Sequence, residues 1–395
     1  MKINIITLRS LIHDSKEFNE SSLKFVKEIE NELNKKEEAE FVLNGKEELL
    51  NLIFIETGGS EGLFLNKIKE FKEPYYLLTS GNNNSLAASL EIMTYLNINN
   101  LKGEIIHGGI SYIAKRIYEL YKLEKLKNDF KNVKLGVLGK PSDWLISSVP
   151  NYDLLKEKLG ISLIDISLDE LINEFNKPNF NRRKDFELKF DNSEIDKANK
   201  IDNGLDNIVR KYNLSGITLR CFDLLSKVKT TGCLGLAYLN YDHITATCEG
   251  DISAMISMVL VEKLLGEYSF QANPSRIDVD KNEIVFAHCT IPFGMLESFR
   301  LDTHFESKIG VAIKGELKEE DVTVLRISSN LHDYFISEGK ILTNLNDPNL
   351  CRTQIKVKMD EDVKTLLKKP CGNHHIIFYG RHKDLIKSIL DELLK

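Results

Sequence analysis

The side chains best suited to chemistry fall in three polar clusters of the second half of the chain: Cys248-Glu249-Gly250-Asp251, Phe286-Ala287-His288-Cys289 and Gly372-Asn373-His374-His375. A carboxylate and imidazoles drawn from separate strand ends form a donor set for Mn²⁺, Fe²⁺, Co²⁺ or Zn²⁺, and the share of oxygen favours a harder octahedral ion such as Mn²⁺. Each cluster taken singly also reads as ordinary structure, since a histidine at a strand end is commonly satisfied by its neighbours. Two further stretches add polar groups: Phe270-Gln271-Ala272-Asn273-Pro274-Ser275-Arg276 brings amides and a guanidinium, and Asp302-Thr303-His304-Phe305-Glu306-Ser307 an imidazole and carboxylates.

The elements that must position them begin with the β-like run Thr245-Ala-Thr-Cys248, which stops at Glu249 before a helix-like run from Ile252. A carboxylate at a strand end sits on rigid backbone, and the helix start beyond it offers unpaired N–H groups that favour an anion. Glu249 is therefore the first candidate catalytic residue. Asp251 is either a second one or, like Ser253, a cap for the helix. Upstream, Gly216-Ile-Thr-Leu-Arg220 puts a guanidinium on an apolar strand, where it needs a partner such as Asp223 or a ligand.

Residues 1–130 alternate apolar runs (Lys2-Ile-Asn-Ile-Ile, Leu52-Ile-Phe-Ile, Tyr75-Tyr-Leu-Leu) with amphipathic stretches, a β-α-β pattern with a parallel sheet. Its strand ends at Glu56-Thr-Gly-Gly-Ser60, Thr79-Ser-Gly-Asn-Asn-Asn84 and His107-Gly-Gly109 are plain turn chemistry or seats for hydroxyl-rich ligands; none has a nucleotide-binding glycine pattern. A second α/β domain spans 131–265. It opens with Val133-Lys-Leu-Gly-Val-Leu-Gly139 and a strand-to-helix junction, Lys140-Pro141-Ser142-Asp143-Trp144, whose tryptophan is expected to pack in the core, substrate stacking being the alternative. Seven short strands between residues 276 and 379 indicate an antiparallel sheet or barrel over 266–380, followed by a terminal helix over 381–395.

At 395 residues and a net charge of −6, the chain is expected to fold as two or three domains and offers no electrostatic case for nucleic acid or an acidic membrane. There is no run of 18 apolar residues and the start is not signal-like, so cytoplasm is the expected location. The six cysteines lack CxxC spacing and read as buried reduced thiols, with thiolate ligation as the alternative.

Taken together, Thr231-Gly-Cys233, Cys248-Glu249-Gly-Asp251, Ala272-Asn273-Pro-Ser-Arg276, Ala287-His288-Cys-Thr-Ile-Pro292, Thr303-His304-Phe-Glu306-Ser, Gly310-Val-Ala-Ile-Lys-Gly315, Gly372-Asn-His374-His375 and Lys140-Pro-Ser-Asp-Trp144-Leu-Ile fall in an order that resembles the L-fucose/L-arabinose isomerase superfamily, in particular the shorter fucose-isomerase-like proteins of prokaryotes. The resemblance implies two Rossmann-like α/β domains followed by a β-rich domain, a trimer or hexamer with sites near subunit boundaries, and Mn²⁺-dependent aldose–ketose isomerisation. It matches Glu249 to a metal-ligating catalytic glutamate, and His288 and His375 to histidine ligands. Where the established isomerases carry a second acidic residue this chain has Ala272-Asn273, the nearest carboxylate being Asp278. Asn273 either ligates through its amide oxygen or bonds the substrate.

Arg220, Arg276, His304, Asn373 and His374 are the remaining candidate substrate contacts. Moving a proton between C1 and C2 also requires an acid, for which Asp251, Asp278, Glu306 or a metal-bound water are candidates. The altered position leaves a second reading, a degenerate relative that binds a sugar without isomerising it, and a third in which the clusters only stabilise subunit interfaces.

Overall fold

Apolar runs without polar alternation, such as residues 52–55 and 75–78, need cover on both faces, and they receive it as parallel strands flanked by helices. The computed structural model describes residues 1–10 and 16–395, and their contacts divide the chain into two compact units, Met1–Lys125 and Leu126–Lys395. The first carries β1 (Lys2–Leu8), α1 (Lys16–Leu33), β2 (Glu40–Leu43), β3 (Leu50–Ile55), α2 (Glu61–Lys67), β4 (Tyr75–Thr79), α3 (Ser85–Ile98), β5 (Gly103–Ile106) and the start of α4 (Ile110–Phe130). Its five strands form one parallel sheet in the order β2-β1-β3-β4-β5.

The second unit begins with another parallel sheet, ordered β7-β6-β8-β9. Its elements are β6 (Lys134–Leu138), α5 (Tyr152–Leu159), β7 (Ser162–Ile166), α6 (Leu168–Phe175), α7 (Asn192–Tyr212), β8 (Gly216–Leu219), α8 (Cys221–Lys227), α9 (Cys233–Tyr241), β9 (Thr245–Cys248) and α10 (Ile252–Leu265). Helix α10 is apolar nearly all round, and it is buried through most of its length.

The chain then turns antiparallel: β10 (Phe270–Asp278), β11 (Glu283–His288), β12 (Leu296–Asp302), β13 (Ala312–Leu317), β14 (Asp321–Ile327), β15 (Tyr334–Asn344), β16 (Thr353–Met359), α11 (Lys364–Lys368), β17 (His375–Tyr379) and α12 (Lys383–Leu393). Six of these strands close into a barrel, β10-β11-β16-β15-β14-β17, beside a β12-β13 hairpin. The two-residue period of Ile284/Phe286, Val322/Val324 and Ile355/Val357 sends those side chains into a shared core with Phe270, Ala272 and Ile377. The α/β fold with a β-rich C-terminal part expected from the sequence is the one observed.

Three local features differ from expectation. Residues 140–151 form no helix after Pro141; they run as turns and helix α5 waits until Tyr152. Strand β10 starts at Phe270, so Gln271, Ala272 and Asn273 are strand residues. Strand β12 was hidden because Leu296-Glu-Ser-Phe-Arg alternates weakly and its Glu297 and Ser298 face solvent.

Candidate metal and active site

The stagger of β10 explains why distant histidines meet. This strand pairs with β17 only through Phe270–Ala272 and with β11 only from Asn273 onward, Ala272 opposite His375 and Asn273 opposite Ala287. The last residue of β11 and the first of β17 therefore stand level with one another on either side of Ala272 and Asn273. Strand β9 is pinned to the same place by a side chain, since the Cys248 N–H donates to Gln271 Oε1 at 2.7 Å and Gln271 Nε2 donates to the Cys248 carbonyl at 3.3 Å. Glu249, the next residue, is thus delivered to the barrel rim.

There Glu249, His288 and His374 each offer one ligand atom, all within 4.8 Å of one another. Glu249 Oε1 lies 3.7 Å from His288 Nε2 and 3.6 Å from His374 Nε2. Both imidazoles are buried, and His374 Nε2 has no hydrogen-bond partner among the described residues. Two imidazole nitrogens, one of them buried without a hydrogen-bond partner among the described residues, and a carboxylate oxygen fit a divalent transition ion.

The supports of this triad are built in depth. Asp251 is fully buried; its Oδ1 accepts from the Ala254 N–H at 2.8 Å and so caps α10, while Oδ2 accepts from Arg326 Nη1 at 3.0 Å and from His374 Nδ1 at 2.8 Å. With Nδ1 held as the donor, Nε2 is the nitrogen that His374 presents to the site. Both oxygens of Asp251 are thereby engaged inside the protein.

Charge follows the same geometry. Burial pushes the Glu249 carboxyl up, but the facing imidazoles of His288 and His374 outweigh it and hold it well below the usual range. Burial pushes His374 down and is overridden by Asp251 and then Glu249, which bring it to about 9. At His288 burial wins over the Glu249 contact and the ring is favoured neutral.

No family model matches this chain. Curated proteins named sulfoquinovose isomerase do: one from Priestia megaterium is 23% identical over 237 residues, 56% of this chain and 53% of that protein. One from Clostridium sp. is 28% identical over 203 residues (48% and 44%), and one from Alkalicoccus urumqiensis is 20% identical over 298 residues (70% and 66%). The chain thus spans about half the length of the first curated relatives it matches.

The sequence expectation puts His375 in the triad and His374 beside a substrate; in the structure it is His374 that faces Glu249 and His288, and His375 is packed in the core. Adjacent residues at a strand start face opposite ways. His375 is fully buried, with Nδ1 3.2 Å from the Asn373 carbonyl and its ring edge-on to Phe335 at 5.2 Å. Burial, then the nearby Arg326, lowers it to about 3. Asn273 stands between the histidine-bearing strands, and its Oδ1 is buried without a hydrogen-bond partner among the described residues.

Of the other candidates, Arg220 sits just past β8 and is consumed locally: it donates to Asp223 at 3.1 Å, to the Pro141 carbonyl at 2.7 Å and to both oxygens of Asp143 at 3.2 and 2.8 Å. Arg276 lies further along β10, half-exposed and ion-paired with Asp347 at 2.5 Å. Asn373 is exposed. His304 is buried edge-on to Phe222 at 5.7 Å, and burial, then the neighbouring His288 imidazole, lowers it to about 4. Glu306 is within electrostatic reach of Glu249: burial first, then that charge, raises its carboxyl.

Sequence reasoning underrated Trp144, the only tryptophan, expected in the core; it is 50% exposed and its Nε1–H donates to Glu249 Oε2 at 2.8 Å. It also passed over Arg326, although a charge inside the apolar run of β14 is the same signal that marked Arg220. Cysteines flank the triad as free thiols: Cys248 is beside Cys221 and Cys289 beside Cys233, all four buried. Among the described residues no helix is long and apolar enough to cross a membrane.

Proposed function

We propose that the protein is a divalent-cation-dependent aldose–ketose isomerase that interconverts the two forms of a sugar through an enediol. The observation that carries this reading is the meeting of Glu249, His288 and His374 at one barrel rim, with a buried imidazole nitrogen left without a hydrogen bond. Those three residues, with the Asn273 amide oxygen as a fourth donor, would hold the ion, and Mn²⁺ suits their mixed oxygen and nitrogen set. When bound, the ion supplies Lewis-acid polarisation of the sugar's O1 and O2.

Glu249 then carries the proton between C2 and C1. The acid we assign to the sugar oxygens is Glu306, which lies within electrostatic reach of Glu249 and whose carboxyl burial and then that charge raise, while Asp251 is committed to Arg326 and His374 and Asp278 to Lys281 at the far end of β10. Glu306 thus answers the loss of an acidic residue at Ala272-Asn273. The relatives' name makes sulfoquinovose the first aldose to assay. Location in the cytoplasm and a homo-oligomeric assembly, trimer or hexamer, belong to the same proposal.

The test is turnover of sulfoquinovose and a panel of unmodified aldoses with Mn²⁺, against Glu249→Ala and His374→Ala. Both variants are expected to be inactive; turnover surviving both would reject this site. Tight sugar binding with no turnover by any aldose would favour the degenerate-binder reading, for which the Asn273 position is the motivating feature.

A further inference from the structure

Trp144 is where a bulky apolar side chain should be hidden and is not. It lies in the turn segment 140–151, yet that segment is tied down along its length. Arg220 grips the Pro141 carbonyl and the Asp143 carboxylate, and the Ser142 N–H donates to the Glu249 carbonyl at 3.0 Å. At the far end Ser148 Oγ accepts from Arg326 Nη2 at 2.9 Å, and the Ser148 carbonyl accepts from Ser253 Oγ at 3.1 Å. The indole itself leans edge-on against Phe222, ring centroids 5.1 Å apart. So much fastening of an irregular loop fixes one exposed ring in place, and its single polar atom meets Glu249.

Glu249 needs such a hold. It adopts a left-handed backbone, φ +65°, costly for any side chain bigger than glycine's, and a glutamate has three rotatable bonds beyond it. Its two oxygens are divided: Oε1 faces His288 and His374, and Oε2 takes the Trp144 N–H at 2.8 Å. We propose that Trp144 is a positioning residue for Glu249, its indole N–H fixing Oε2 so that Oε1 stays at the imidazoles where the ion would be held. The role in catalysis rests on the isomerase reading above; the hydrogen bond and its steering of the carboxylate do not. Removing a hydrogen-bonding support of a metal ligand weakens metal binding about 10- to 100-fold.

Because Trp144 is the sole tryptophan, its indole N–H gives one resonance in a ¹⁵N-indole-labelled sample. In the metal-free 395-residue chain that proton is expected downfield and slowly exchanging, and Glu249→Ala should shift it upfield and speed its exchange with water. An unmoved resonance overturns the proposal whatever the metal chemistry. In the second arm, Trp144→Phe keeps the ring packing and loses the N–H. Calorimetric titration with MnCl₂ should show affinity at least about 10-fold weaker than wild type, with an unchanged melting temperature of the metal-free protein. Equal affinity overturns the proposal. Failure of the wild type itself to bind Mn²⁺, Co²⁺ or Zn²⁺ removes the metal reading and leaves Trp144 to be decided by the resonance alone.

Discussion

His374 bridges two carboxylates of unlike surroundings, its Nδ1 2.8 Å from the wholly buried Asp251 and its Nε2 3.6 Å from Glu249 at the site. The imidazole's direction is therefore set from inside the protein. Asp251→Asn keeps the shape and the helix cap while removing the charge that holds the Nδ1 proton, and it should weaken Mn²⁺ binding by about 10- to 100-fold in a calorimetric titration. Asp251→Ala should do more, because it strands the buried Arg326 guanidinium; a loss of about 3–5 kcal/mol in urea unfolding is expected.

The neighbouring histidines separate site from scaffold. Saturating Mn²⁺, at about 100 times its dissociation constant, should stabilise the wild type by about 2.7 kcal/mol. His374→Ala should abolish that gain. His375→Ala should keep it, yet lower the melting temperature of the metal-free protein, since it empties a fully buried position against Phe335 at a cost of about 2–4 kcal/mol. A variant pair that behaves the other way round would return the ligand role to His375.

Gly250 and Gly266 share nearly the same left-handed φ, +72° and +70°, in very different surroundings. A Cβ at Gly250 would come within 2.6 Å of Pro141 Cα and 2.7 Å of the Lys140 carbonyl, whereas at Gly266 nothing among the described residues lies within 4 Å. Gly266→Ala should cost about 1–2 kcal/mol, the backbone penalty alone. Gly250→Ala should cost at least about 2 kcal/mol more in thermal or urea melts, and by moving the Pro141 turn should also displace Trp144 from Glu249.

How much of this was legible beforehand depended on whether a signal was local. Glu249 and His288 stand at strand ends that hydrophobic patterning marks, and the barrel strands announce themselves by alternation. The choice between His374 and His375 turned on the phase of β17, and a one-residue difference in strand phase exchanges the two faces. Pro141 followed by Ser142 and Asp143 mimics a helix start, yet Arg220 holds Pro141 and Asp143, and Arg326 holds Ser148, so that residues remote in sequence keep the segment as turns. The role of Gln271 has no local signature; an amide clasping the backbone of another strand is visible only once both strands are placed.

Asp202 offers a test that leaves the metal site untouched. It lies in α7 under Gly235 of α9, 4% exposed, and its Oδ1 has no hydrogen-bond partner among the described residues. Burial pushes its carboxyl up to about 7; Arg183 opposes this, while the charges of Asp206, Asp242 and Asp185 add to it. A carboxyl whose folded value exceeds its unfolded value near 4 binds its proton more tightly in the native state. The stability this confers is complete below about pH 4 and drains away as pH climbs through about 7. Asp202→Asn has the same size and nothing to titrate, so the other ionisable groups cancel in the difference between the two proteins. Relative to wild type the variant should gain about 1–3 kcal/mol in urea unfolding between about pH 5 and about pH 8.5, less than the full worth of the shift because part of it is already lost between about pH 4 and about pH 5. A difference flat across that range would mean that the carboxyl is already ionised at pH 5 and that solvent or Arg183 meets its charge.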